Sequence, residues 1–103
     1  MKVKVKSILE VGCHKYKVSF DDTQEDGGWD GTTLHRREEI LLNPQQPELR
    51  MATCYIHEAL HIIARVYAID LKEDDVWRLS EGLGEVLVRN LGITLDFSNI
   101  QEK

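Results

Sequence analysis

His57-Glu58-Ala59-Leu60-His61 is the stretch that leaves this chain the fewest choices. Two histidines four residues apart share one face of an α-helix, one turn above the other. Tyr55 and Ile56 before them, and Ile62 and Ile63 after, set that helix at the edge of a core. Imidazoles so spaced can reach a single Zn²⁺, and the glutamate between them can take a proton from a water that the metal activates. The plainer reading is an amphipathic helix that happens to carry two histidines and a surface glutamate.

The pattern around the motif predicts a helix from about Pro47, which suits a first helical turn, to about Ala68. Its apolar stripe is Leu49, Ala52, Ile56, Ala59, Leu60, Ile63 and Tyr67. At ~100° per residue, His57 and His61 fall on one shoulder of that stripe beside Ala64. A second helix follows from about Leu71 to Asn90, with Asp70 as its N-cap and Leu91-Gly92 as its close. Val76, Leu79, Leu83, Val86 and Leu87 form its stripe. Gly82 and Gly84 lie mid-helix at a cost of roughly 1 kcal/mol each relative to alanine, which suggests close packing or a substrate passing nearby.

Ahead of the helices, residues 2–6 and 15–20 alternate as strands do, with Val11 to His14 as the connection. Asp21 to Gly31 is an acidic, glycine-containing loop, in which Trp29 reads as a local core plug. Thr32–Arg37 and Glu39–Leu42 form a hairpin that turns near Arg37-Glu38, and Asn43 to Pro47 ends the sheet. Ile93 to Phe97 adds a short extended piece, and residues 98–103 read as a frayed tail. The expected fold class is α+β, with a small antiparallel sheet of about three strands packed on two long helices. At 103 residues the chain is a single domain, 1–103.

The balance of charge narrows the partners. Net charge is −5 and no basic run occurs, which argues against direct nucleic-acid binding. No apolar run has a signal peptide's shape or approaches the ~20 residues of a membrane span. Cys13 and Cys54 are far apart and in no paired motif, as expected of two free thiols in a cytoplasmic protein.

A catalytic zinc takes three protein ligands and leaves a position to water. No histidine follows His61, so a downstream third ligand must be a carboxylate. The same helical arithmetic turns Asp74, Glu81 and Glu85 away from the second helix's stripe and leaves Glu73 and Asp75 flanking it. Glu73 shares its shoulder with Trp77, Ser80 and Gly84 and has the longer reach, so it is the candidate. Its competing role is a capping box with Asp70. Glu81 stays open, because a kink at Gly82 or Gly84 would turn it, and Asp75 is the outsider.

Short strands, the apolar His-Glu-x-x-His helix, and then a helix carrying Glu73, Val76, Leu79 and Ser80 resemble the gluzincin-type zinc metallopeptidases. The chain is most similar to the short phage- and prophage-encoded relatives of the ImmA/IrrE group, over roughly residues 14–90. That resemblance implies a minimal zincin-like fold and Zn²⁺ as cofactor. It favours Glu73 over Glu81 as the ligand beside His57 and His61, and implies Glu58 as general base for peptide-bond hydrolysis. The partner would be a protein or peptide lying along an exposed strand edge of the 32–42 hairpin. A second donor to the oxyanion is expected among His35, Tyr55, Tyr67 and Arg78. His14 and His35 otherwise read as ordinary strand or turn residues. Two alternatives stand beside this one: a catalytically silent, zinc-stabilised interaction module, and a metal-free accessory domain.

Overall fold

The computed structural model of the chain describes residues 1–21 and 30–102. The strands are β1 (Lys2–Lys4), β2 (Ile8–Val11), β3 (His14–Phe20), β4 (Gly31–Leu34), β5 (Glu39–Leu42), β6 (Thr94–Asp96) and β7 (Gln101–Glu102). Helices α1 (Glu48–Val66) and α2 (Glu73–Glu85) lie between β5 and β6, and a π-helical turn, Val86–Asn90, extends α2. No described helix is long and apolar enough to cross a membrane.

The α+β class holds, but the sheet is larger than three strands and is mixed. Its order is β2-β3-β5-β4, with β7 also on β3. β2–β3 and β4–β5 are antiparallel, whereas β3 runs parallel to both β5 and β7. β1 joins β6 in a separate parallel pair. Parallel partners are distant in sequence, so no local turn signal announces them. β2 escaped the periodicity because Ile8, an apolar residue, occupies an outward position at 50% exposure. A tight turn at Gly12-Cys13 joins it to β3, with Gly12 at φ 60°. A side chain at Gly12 would be conformationally strained and would press on Val66 Cγ1 at 3.0 Å.

The C-terminal residues also depart from expectation. Ile100 is buried in the core and Gln101–Glu102 pair with Ser19–Phe20, so this segment is part of the fold and not a frayed tail. Trp29 and most of the 21–31 loop lie outside the described residues.

One core cluster lies between the sheet and α1, built from Tyr16, Val18, Ile40, Leu42, Cys54 and Ile62 among others. β5 sits between β3 and β4, and its Ile40, Leu41 and Leu42 are all buried, as in a central strand covered on both faces. Beneath them, α1 turns Met51, Cys54, Glu58 and Ile62 inward. Leu49 and Tyr67 of the predicted stripe are about 60% exposed. The reason is that α1 has two packed faces, one on the sheet and one on α2, and a single stripe averages them. Ile62→Ala empties a site that has no exposure. It is expected to cost roughly 2–5 kcal/mol, read as a lowered urea midpoint at unchanged slope.

α2 packs on α1 through Val76, Ser80 and Gly84, spaced four apart. These residues, two of them small, let the helices approach closely, and Gly84 lies against the Thr53 hydroxyl. Leu79, Leu83 and Val86, predicted to face the core, are exposed at 41–47%. The helix begins two residues later than expected. Its N-cap is Lys72, not Asp70, and the Lys72 N–H donates to Asp75 Oδ2 at 3.3 Å. Asp75 thus takes the capping role, and Glu73 is released from it.

Candidate metal centre

Three elements converge on one cavity of about 370 Å³: α1, the start of α2 and the outer strand β4. α1 supplies His57, Glu58 and His61, α2 supplies Glu73 and Trp77, and β4 supplies Gly31 and Thr32. The helical spacing that stacks the two imidazoles is realised, with ring centroids 4.8 Å apart. Because the Val76–Ser80–Gly84 face is turned onto α1, the shoulder that holds Glu73 and Trp77 faces the histidines.

His57 Nε2 lies 2.9 Å from Glu73 Oε1, His61 Nε2 lies 3.1 Å from Glu73 Oε2, and the two Nε2 atoms are 3.1 Å apart. Two chemistries fit this triangle. With a hydrogen on each Nε2, the imidazoles donate side by side to the two Glu73 oxygens, as a guanidinium fork does. With both Nε2 lone pairs free, the same nitrogens and a Glu73 oxygen can ligate a cation. Donor atoms about 2.0–2.1 Å from a tetrahedral zinc stand about 3.3 Å from one another, near the 3.1 Å between the two Nε2 atoms; with one oxygen of Glu73 the three donor atoms lie within 4.8 Å of one another. Among the described residues, His57, His61 and Glu73 form the one group of three such side chains able to hold a metal ion.

Burial is graded across the group. The His57 side chain is 6% exposed, that of His61 31% and that of Glu73 58%, so the cluster opens to solvent from the α2 side. Trp77 lies against His57 with ring centroids 4.2 Å apart. His57 Nδ1 is buried and has no hydrogen-bond partner among the described residues, so packing holds this ring in place. Glu58 is buried, and its Oε1 accepts a 2.6 Å hydrogen bond from Thr33 Oγ1. That contact ties the glutamate to β4. A Cβ at position 31 would sit 3.2 Å from Leu42 Cδ2 and 3.7 Å from Glu58 Cγ, so glycine keeps the strand close to the site.

The remaining candidates are dispersed. Glu81 lines a neighbouring cavity, and Asp75 caps α2 and pairs with Arg78 at 3.7 Å. Tyr55 packs edge-on against Phe97, and Tyr67 is exposed at the far end of α1. His35 follows β4, and its Nδ1 lies 2.9 Å from the Tyr16 hydroxyl. Burial lowers the His35 pKa, aided by Arg65 and His61, and burial raises that of Tyr16. His14 opens β3 and pairs with Glu38 at 2.7 Å on the surface, as an ordinary strand residue would.

Sequence reasoning missed Thr33 and the Arg50–Asp30 pair at this site, and read Cys54 as a free thiol without placing it on the cavity. Asp30 Oδ2 accepts from Arg50 Nε at 2.7 Å and forms an ion pair with Nη2, also at 2.7 Å, on the cavity wall. Cys54 has its pKa pushed up to about 11, chiefly by burial, which keeps it a thiol. Its place one helical turn before His57 was the available signal. Thr33 offered none, since its role depends on the strand's approach to α1. No protein-family model, curated protein or solved structure matches the chain.

Proposed function

We propose that this protein is a zinc-dependent peptidase, with His57, His61 and Glu73 holding the metal and Glu58 acting as general base. The observation that carries the reading is the convergence of the His57, His61 and Glu73 donor atoms, at 2.9–3.1 Å, on the cavity that Glu58 also lines. Bound there, zinc would polarise the scissile carbonyl and lower the pKa of a water molecule. Glu58 lines the same cavity, where its carboxylate would take a proton from such a water and pass it to the departing amine. Thr33 fixes the carboxylate by its hydrogen bond to Oε1. β4 stands at the end of the sheet order, and an extended peptide added along its free side would lie across the cavity.

Metal content and hydrolysis, measured on the same sample, test this. Protein purified without chelator is expected to carry about one zinc per chain and to cleave an unstructured protein such as casein. Chelation should stop cleavage, and added zinc should restore it. A chain that takes up no zinc even when supplied with it sinks the proposal. A loaded chain that cleaves nothing leaves a zinc-stabilised interaction module in its place.

A further inference from the structure

We propose that the recess beside the metal centre is a selectivity pocket for a basic side chain of the substrate, with Glu81 reading the charge. This rests on the peptidase reading. The recess has a volume of about 300 Å³ and shares Arg50, Cys54 and Trp77 with the cavity of the histidines. A peptide crossing His57, His61 and Glu73 therefore has this recess as the adjoining place for a side chain.

Its chemistry is uneven. Pro47, Leu49, Cys54 and Trp77 make an apolar wall, and Thr53 and two charged residues, Arg50 and Glu81, share the remainder. Arg50 directs both Nε and Nη2 onto Asp30, so its charge already has a partner. Glu81 forms no ion pair among the described residues. Glu81 acts on Arg50 through space only, as the weaker partner beside Asp30, and an apolar recess with a carboxylate that no cation contacts directly matches lysine or arginine. The aliphatic stem packs along Leu49, the cation passes Trp77, and the charged head reaches Glu81. An acidic side chain would meet Glu81 and the site's own Glu73. A leucine would fill the apolar part and leave the carboxylate in water. The expected discrimination is therefore graded, strongest against acid.

The test uses full-length, zinc-loaded Glu58→Gln protein and end-blocked alanine-based hexapeptides that carry lysine, leucine or glutamate at each position in turn. Calorimetry reads Kd, a quantity independent of turnover. At one position lysine should bind about fivefold more tightly than leucine, the upper range for a partly exposed ion pair, with glutamate weakest. Raising the salt concentration should shrink the preference. Adding Glu81→Gln should level lysine and leucine, and Glu81→Lys should invert lysine and glutamate. Glu81 is solvent-exposed, so neither change touches the core. A lysine preference that survives Glu81→Lys, or peptides that bind with no lysine preference, overturns the pocket alone. Failure of every peptide to bind, with no cleavage of the set by the zinc-loaded wild type, overturns the peptidase reading along with it.

Discussion

Replacing Glu58 by glutamine is expected to lower peptide hydrolysis by roughly 10²–10⁴-fold, the usual contribution of a positioned general base, while zinc content stays at the wild-type level. Glutamine keeps the shape and keeps an oxygen to accept the Thr33 hydroxyl, which now reaches Glu58 Oε1 at 2.6 Å. What it loses is the ability to take a proton. Glu58 is buried, and removing its charge relieves a desolvation cost, so the melting temperature should hold or rise. Activity assays, metal analysis and thermal melts on one preparation read all three consequences. Equal turnover in the variant and wild type would remove Glu58 from the chemistry. A fall in zinc would mean that the substitution had disturbed the ligands.

Glu73→Ala is expected to weaken zinc binding by more than about 100-fold, since loss of a direct ligand should exceed the 10–100-fold cost of disturbing its supporting shell. Glu73 is well exposed and stands at the start of α2, so its side chain supports little of the fold. Glu81→Ala is the matched control. It removes a carboxylate from the same helix but leaves the donor triangle whole. Competition against a chelator of known affinity separates the two variants. Equal zinc affinity in both would refute the ligand assignment, and selective loss in Glu81→Ala would transfer it to the other carboxylate.

The legible and illegible parts of this chain divide along physical lines. The helical period places His57 and His61 together because the constraint acts within one turn. It also places Glu73 on the right shoulder of α2, beside Trp77, Ser80 and Gly84. Of the stripe next to that shoulder, Val76 is buried as expected, but Leu79, Leu83 and Val86 look outward, and Ser80 and Gly84 complete the contact. Size guided the reading, whereas closeness of approach decided the packing. The capping assignment failed for a local reason, since Asp75 sits at the third helical position and captures the N–H of Lys72. Thr33 and the parallel pairings of β3 stayed hidden because they depend on segments far apart in sequence. Hydrophobic alternation does not encode which strands meet.

The two parallel ladders that bring the chain's extremities into the structure bear on the order in which it folds. β1 meets β6 and β3 meets β7 only after nearly the whole chain has been drawn together. Such contacts carry a large loop-closure entropy and are expected late. The His57–Glu73 segment needs only α1, one short connection and the first turn of α2. During refolding, that helical pair is therefore expected to assemble before the ladders close. A metal ion in solution would meet its three donors while the sheet above them was still open.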